Sequence, residues 1–246
     1  MHRLTMDYQE RVKIELEFWK RDMMKKPSMF DRVTSTVQNK INDYIPDKIH
    51  NAVTTAIKAM VKAVLYGSKY TTSSIPPEEM TLMHREALVR EKIDNYAKTG
   101  AAEGGVTGAG GFLMSMADFP ILIAIKIKLL FEIATLYGFD VNKFHERLYI
   151  LYIFQLTFSS SEGATKVFLH LENWEDKLHI LPENAENFDW KTFQQEYRDY
   201  IDLAKLAQLI PVVGAAVGAV ANYQLLKKLG KTAKMAYRMR LLDAGH

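Results

Sequence analysis

The segment from Ala97 to Asp140, AKTGAAEGGVTGAGGFLMSMADFPILIAIKIKLLFEIATLYGFD, decides how this chain folds. Six of the thirteen glycines in the sequence lie between Gly100 and Gly111. An apolar run follows them, is interrupted by two lysines and a glutamate, and ends in YGFD. The pattern has three interpretations: a phosphate-binding loop, a buried helical hairpin, or a segment that enters a membrane. The rest of the chain distinguishes among them.

The glycines do not match a nucleotide-binding loop. Such a loop requires Gly-x-x-x-x-Gly-Lys-Ser/Thr after a strand, or Gly-x-Gly-x-x-Gly in a dinucleotide fold, and neither spacing occurs here. Glycines three and four residues apart instead leave one helix face without side chains, so a second helix can approach closely. We expect Gly104, Gly108 and Gly111, or Gly100 and Gly104, to form one such strip, and Gly214 and Gly218 to form another.

Helical spacing of apolar residues continues over the remaining sequence, and no convincing period-two alternation is present. The sequence therefore predicts an all-α fold. We expect a single helical bundle over residues 1–246, with glycine-rich helix-packing segments and with residues 1–45 forming an N-terminal helical arm. The first predicted helix runs from Met6 to Met24, and its apolar stripe consists of Tyr8, Val12, Leu16, Trp19 and Met23.

The apolar run after the glycines has the signals of a helix start and a helix end. Asp118 and Pro120 are typical of a cap and an early-turn residue, so we expect a helix to begin there. Gly138 is expected to end this helix with a positive φ. Asp140 would then cap the next helix or form an ion pair with Arg147.

Lys126, Lys128 and Glu132 lie inside this apolar helix. Lys128 and Glu132 are four residues apart and can pair on the helix surface. We expect all three to form a solvent-facing edge, because a lysine can keep its ammonium group in water while its stem covers apolar surface. The alternative is a charge pair inside the bundle, which would be costly unless it is satisfied.

Composition excludes several kinds of site. The chain has 246 residues, a net charge of +3 and no cysteine, so disulfides and thiolate metal sites are excluded. No His-Glu-x-x-His motif and no nucleic-acid-binding motif is present, and the N-terminus is too charged for a signal peptide. We predict a cytoplasmic protein with no cofactor, no metal and no nucleic-acid partner. The apolar run from Leu209 to Leu226 is only borderline for a membrane span.

Basic residues lie beside apolar helix faces in two parts of the chain. Such residues are attracted to anionic lipid headgroups, so a membrane surface at the inner face of the cell membrane is one expected partner. The alternative is that these residues form an ordinary solvated face. One group consists of Lys58, Lys62 and Lys69, and the other of Lys227, Lys228, Lys231, Lys234, Arg238 and Arg240.

Three stretches together carry a resemblance to a known family. The glycine block leading into YGFD is followed by ERLYILYIF and later by LIPVVGAAVGAVANYQLLKKLGKTAKMAYR. In these stretches the chain resembles the EcsC protein family, most strongly from Pro76 to Arg240. The resemblance implies a bacterial protein of Gram-positive type, encoded beside the ATPase and permease of an ABC transporter. It supplies no catalytic residues.

These observations lead to two functional hypotheses. In the first, the protein is a non-enzymatic accessory or membrane-associated factor linked to an ABC transporter, and its helix faces contact a lipid surface or a partner protein. In the second, it is a hydrolase-like enzyme with Glu132, Asp140 or His145 in a cleft of the bundle. An enzyme requires titratable groups that converge in a pocket, whereas the first hypothesis requires exposed apolar surface rimmed by lysine.

Overall fold

The computed structural model describes residues 7–25, 47–66, 74–109, 111–189, 192–193, 196 and 215–243. Within these ranges the regular structure is helical and no strand forms, which confirms the predicted all-α class. Two short 3₁₀ turns, Leu178–Ile180 and Ala185–Asn187, connect helices. The α-helices are α1 (Tyr8–Met24), α2 (Asp47–Tyr66), α3 (Leu82–Ala109), α4 (Gly111–Leu136), α5 (Phe144–Phe158), α6 (Ser161–Leu171), α7 (Trp174–Lys177) and α8 (Ala215–Asp243).

The two long helices α3 and α8 lie antiparallel and share the most extensive helix contact in the described part of the chain. Glycine allows this close approach at two positions along the helices. A Cβ atom on Gly230 would lie 2.5 Å from Cγ1 of Ile93, and one on Gly100 would overlap the side chain of Leu226. Because glycine has no side chain, Ile93 and Leu226 pack directly against the backbone of the facing helix. The helices are then close enough for Glu86 to meet Arg238 and for Asp94 to meet Lys227.

The core lies between this helix pair and α4 and α5. Twelve of the 15 residues of α5 are buried, so α5 is covered on nearly all sides and lies at the centre of the bundle. α4 contributes Leu129, Leu130, Phe131 and Ile133, each fully buried. α2 packs on the outer sides of α4 and α5. The bundle is thus layered, with α5 inside and amphipathic helices around it.

α4 begins earlier than the sequence pattern predicts. Asp118 is not a cap, because the helix already starts at Gly111 and contains Pro120 in its interior. A proline there removes one backbone hydrogen bond and costs about 3 kcal/mol in an isolated helix. Pro120 is exposed, while Leu122, Ile123 and most residues from Lys126 to Leu136 are buried. Burial of this apolar stretch offsets the lost hydrogen bond.

α4 ends at the corner before α5 in the way that the sequence predicts. Gly138 has φ +99°, the left-handed conformation that glycine adopts at helix ends. The amide of Gly138 donates to the carbonyl of Thr135 at 2.9 Å, and that of Phe139 to the carbonyl of Ala134 at 3.1 Å. This pair of bonds is the Schellman arrangement, which satisfies the last carbonyls of α4.

The N-terminal helix α1 packs against α8 and α6. Val12 and Leu16 of the predicted stripe are buried, and Trp19 meets Phe168 edge to face at 5.4 Å between ring centroids. The predicted inner face of α1 is therefore confirmed. Residues 1–6 and 26–45 of the predicted arm lie outside the described residues.

Replacing Gly230 with alanine tests the close contact between α3 and α8. Overpacking typically costs 1–3 kcal/mol, against a gain of about 1 kcal/mol in helix propensity, so we expect a net loss of up to about 2 kcal/mol in unfolding free energy. Denaturant unfolding followed by circular dichroism measures it. Ile93→Ala removes the clashing atoms, so Gly230→Ala should cost nothing in that background. An equal cost in both backgrounds would contradict the proposed contact.

Candidate functional site

A buried carboxylate–arginine pair joins the N-terminal end of α3 to the C-terminal end of α8. Arg238 donates from Nε to Oε1 of Glu86 at 2.6 Å and from Nη2 to Oε2 at 2.5 Å. Tyr8 of α1 donates to Oε2 of the same carboxylate at 2.6 Å, and Tyr137, directly after α4, donates to Oε1 at 3.2 Å. Glu15 of α1 accepts from Nη1 of Arg238 at 2.6 Å. Three helices and the turn after α4 therefore meet at one carboxylate and one guanidinium.

The electrostatics of this cluster favour the ionised pair. Burial alone would raise the pKa of Glu86, but the hydrogen bonds from Arg238 and Tyr8 outweigh burial and lower it. Burial alone would lower the pKa of Arg238, and its bonds to Glu86 and Glu15 raise it instead. Lys234 adds a further positive charge, with Nζ 3.8 Å from Oε2 of Glu86. The carboxylate is thus held as a permanent anion.

A second buried arginine lies two residues further along α8. Arg240 donates to both oxygens of Glu146 in α5, at 2.7 and 2.8 Å, and from Nε to Glu175 in α7 at 2.8 Å. Its guanidinium carbon lies 4.0 Å from the ring centroid of Phe139 and 4.6 Å from that of Tyr149. Planar stacking and two-pronged hydrogen bonding suit arginine and not lysine. Arg240 therefore fixes α8 to α5 and α7.

Glu86 was not predicted from the sequence as a site residue. Arg238 and Arg240 were expected at an exposed basic end, but both are buried. The sequence nevertheless contains a pattern from which the burial of Glu86 could have been predicted. Glu86 is three residues before Val89 and seven before Ile93, on the stripe of α3 that the structure buries. A charged residue on an apolar stripe indicates a buried partner. The partner itself is more than 150 positions away, at the far end of the chain.

Lys126 is buried in the interface between α4 and α8, so the expectation that it faces solvent is wrong. It is 1% exposed, and Nζ donates to the carbonyl of Leu122 at 3.2 Å and to Oδ1 of Asn222 at 3.0 Å. Among the described side chains, no carboxylate lies within ion-pair distance of Nζ. Burial lowers the pKa of Lys126 to about 7. Two neutral acceptors thus hold an amine that titrates near neutrality.

Glu132 is also buried, which corrects the predicted solvent-facing edge for this residue. Its Oε2 lies 3.4 Å from Nζ of Lys92 in α3, which is the ion pair that the structure gives it in place of the predicted pair with Lys128. Burial and the charge of Glu132 raise the pKa of Tyr96 to about 12. Lys128 is half-buried. Glu132 therefore contributes an ion pair to the contact between α4 and α3.

Asp140 and Arg147 lie at the corner between α4 and α5, and both form hydrogen bonds with backbone atoms. Oδ1 of Asp140 accepts from the amide of Asn142 at 3.0 Å and orders the turn before α5, whose cap position is Lys143. Arg147 donates from Nε to the carbonyl of Val141 at 2.9 Å and from Nη1 to that of Leu65 in α2 at 3.3 Å. Arg147 therefore braces the corner through carbonyls and connects it to α2.

For the residues of the predicted glycine strips, the structure does not describe contacts with neighbouring helices. The backbones of Gly104 and Gly108 belong to α3, that of Gly111 begins α4, and that of Gly218 belongs to α8. Their contacts lie outside the described part of the structure, and Gly214 lies outside the described residues. The strips remain predictions. The glycines that the structure places at close helix contacts are Gly100 and Gly230.

The outer face of α8 carries the exposed basic residues. Lys227, Lys228 and Lys231 are exposed, and Lys227 pairs with Asp94 of α3 at 2.5 Å. One turn earlier the same face carries Val220 and Tyr223, which are 56% and 38% exposed. The sequence of α8 contains no acidic residue before Asp243. This face, from Val220 to Lys231, combines exposed apolar side chains with lysines, and we call it the basic face of α8.

None of the helices that the structure describes combines the length and hydropathy that crossing a bilayer requires. Within the same described ranges, no three histidine, aspartate or glutamate side chains are grouped so as to hold a metal ion.

Comparison with known proteins extends over almost the whole chain. The model of the EcsC protein family matches residues 10–242. Protein EcsC of Bacillus subtilis (strain 168) is 46% identical over 224 residues, which cover 91% of this chain and 92% of that protein. Uncharacterized protein YdbA of the same organism is 30% identical over 146 residues, 59% of this chain and 54% of that protein. No solved structure is significantly similar to the chain.

Arg238→Met should strongly destabilise the protein. It leaves Glu86 buried without its arginine, and breaking a buried pair costs about 3–5 kcal/mol. Lys227→Met is the matched control, because Lys227 is also an α8 cation paired with α3, but its pair is exposed and worth about 0–1 kcal/mol. Urea unfolding measures both. Adding Glu86→Leu to Arg238→Met should recover most of the loss. Similar costs for Arg238→Met and Lys227→Met would contradict this account.

Lys126 should make stability depend on pH. The pKa of its amine is 10.5 in an unfolded chain and about 7 in the fold, so between these values the unfolded state binds more protons. Stability therefore rises with pH across this window, by up to about 1.4 kcal/mol per pH unit. Lys126→Met has no ionisable amine at this position. At pH 7 it should therefore be more stable than wild type, and this difference should shrink as the pH approaches 10. Guanidinium unfolding at several pH values measures it, with the exposed Lys62→Met as control. A constant difference between wild type and Lys126→Met would refute the assignment.

Proposed function

Because the chain belongs to the EcsC protein family, we propose that it is a non-enzymatic accessory factor that binds reversibly to an anionic membrane surface beside components of an ABC transporter. The transporter part of the proposal is supported by the sequence resemblance described above. The membrane part is supported by one structural feature, the basic face of α8.

The basic face of α8 has the two components that a peripheral membrane helix uses. Lysines near an anionic leaflet each contribute on the order of 1 kcal/mol, and the attraction fades within a Debye length. Exposed Val220 and Tyr223 on the same face can enter the headgroup region, where tyrosine is a favoured residue. Because α8 has no acidic residue before Asp243, its own sequence brings no repulsion from anionic lipid.

The buried charges support a non-enzymatic role. Glu86 and Glu146 each accept two hydrogen bonds from an arginine, and an anion held in this way is a poor proton acceptor. The candidates of the enzyme hypothesis have separate partners. Glu132 lies against Lys92, Asp140 accepts from Asn142, and Nε2 of His145 lies 2.8 Å from the carbonyl of Pro182. These contacts account for each group as part of the scaffold.

Vesicle flotation tests the proposal. At low salt the protein should float with vesicles that contain phosphatidylglycerol, should be released as salt is raised, and should bind pure phosphatidylcholine vesicles weakly. Lys228→Glu with Lys231→Glu should weaken partitioning by at least about 30-fold, since two neutralised lysines already account for about 2 kcal/mol.

The matched control is Lys143→Glu with Lys166→Glu. It changes the net charge equally at exposed positions outside α8. This control should retain more binding than the α8 variant, and thermal melts should show that both variants fold. Wild-type protein that stays with the soluble fraction on anionic vesicles would refute the membrane proposal. Equal loss in the two variants would refute the assignment to the basic face of α8.

A further inference from the structure

The basic face of α8 continues beneath α1. Its residues and the two cations after them share one side of the helix, because they follow each other at spacings of three, four and seven residues. This stripe consists of Val220, Lys227, Lys231, Lys234 and Arg238. The side chain of Lys227 is 44% exposed, whereas those of Lys234 and Arg238 are 18% and 3% exposed. α1 packs on the covered end, where Glu15 accepts from Nη1 of Arg238 at 2.6 Å.

The edge of α1 that meets this stripe is acidic. Glu15 and Asp22 are seven residues apart, which is two turns, and so lie on the same edge of the helix. Burial lowers the pKa of Lys234, and the negative charge of Glu15 opposes this effect. The pKa of Asp22 is lowered mainly by its hydrogen bond and ion pair with Lys25, and the positive charge of Lys231 lowers it further. α1 therefore presents carboxylates to the C-terminal part of the cationic stripe.

α1 buries little of its own surface. Two of its 17 residues, Val12 and Leu16, are classed with the core, and a helix with few buried apolar side chains lies at the low end of local stability. The surface of α8 that α1 covers is charged at Lys234 and Arg238. Release of α1 would therefore lengthen the basic face by one lysine and by the Nη1 edge of one arginine.

We propose that α1 is an autoinhibitory strap, which competes with an anionic membrane surface for the C-terminal end of the cationic stripe of α8. This inference rests on the proposed function, because the competitor is the membrane surface that the basic face binds. Headgroup phosphates can replace the carboxylates of Glu15 and Asp22, since both are anionic acceptors for lysine and arginine. The apparent membrane affinity is then reduced in proportion to the fraction of molecules in which α1 stays docked.

A pair of charge variants tests the contact with Arg238. Glu15→Gln removes the carboxylate that holds α1 to this arginine, and Glu17→Gln makes the same change of charge at an exposed position of the same helix. In flotation with phosphatidylglycerol vesicles, Glu15→Gln should partition at least about threefold more strongly than Glu17→Gln. Equal partitioning of the two variants would mean that only net charge matters, and would overturn the proposal.

A pair of aromatic variants tests release of α1 without any change of charge. Trp19→Ala removes the ring contact between α1 and Phe168 of α6, so it should raise partitioning onto the same vesicles at least about threefold over wild type. Phe18→Ala is the matched control, because Phe18 is 59% exposed on the outer side of α1, and it should give no gain. Thermal melts should show that both variants fold. Wild-type partitioning of Trp19→Ala would contradict the strap.

A crosslink tests the opposite direction. The chain has no cysteine, so Lys20→Cys with Asp243→Cys introduces one pair of thiols where α1 meets the end of α8. In the native protein, Nζ of Lys20 lies 3.0 Å from Oδ1 of Asp243. When a short bismaleimide joins the thiols, α1 cannot leave, and partitioning should fall at least about threefold below that of the same variant capped with N-ethylmaleimide. Equal partitioning of the crosslinked and capped forms would overturn the proposal.

The strap and the membrane function fail in different ways. If neither wild-type protein nor Trp19→Ala floats with anionic vesicles, the membrane function is wrong and the strap falls with it. If wild-type protein floats, but the crosslinked form and the Glu15 and Trp19 variants partition as their controls do, the strap alone is wrong.

Discussion

The close contact of α3 with α8 is the constraint on which the rest of the structure depends. Gly100 and Gly230 have no Cβ atom, so Leu226 and Ile93 of the facing helix pack directly against the backbone. The axes of the two helices can therefore run close together over many turns, and this fixes which residues at their ends face each other. With that register set, Arg238 meets Glu86 and Lys227 meets Asp94. A shift of one turn would leave Glu86 buried without its arginine, so packing and electrostatics select the same register.

The two buried arginines then join three further helices to this pair. Arg238 reaches α1 through Glu15, while Arg240 reaches α5 through Glu146 and α7 through Glu175. Buried ion pairs gain little net stability over apolar contacts, because desolvation is costly. Their main effect here is geometric. A two-pronged pair tolerates little displacement, so each helix that contributes a carboxylate has one favoured position along α8.

The sequence allowed prediction of those features that depend on neighbours in the chain. The helical class, the inner stripe of α1 and the positive φ of Gly138 all follow from spacings of a few residues. The buried charges do not, since Glu86 and Arg238 are 152 positions apart and each looks like a surface residue in its own helix. Lys126 was misplaced for the same reason. Its acceptor Asn222 lies on a helix that the local pattern of α4 does not reveal.

The start of α4 was missed for a different physical reason. Asp118 and Pro120 are good helix-start residues in isolation, but local propensity is a weak term beside burial of the long apolar helix that follows. The backbone therefore continues through the proline to Gly111. Burial also means that the net charge of the sequence does not give the charge of the protein surface. The formal net charge of +3 counts Arg238 and Arg240, which are buried in ion pairs, equally with the exposed Lys228 and Lys231.

α4 lies between α2 and α8. One of its faces carries Ile123 and Ile127 toward α2, and the neighbouring face carries Lys126 to Asn222 of α8. A buried amine held by neutral acceptors has less electrostatic energy fixing its position than the arginine pairs have. Electrostatic interactions therefore hold α4 and α8 together less strongly at Lys126 than in the cluster around Arg238.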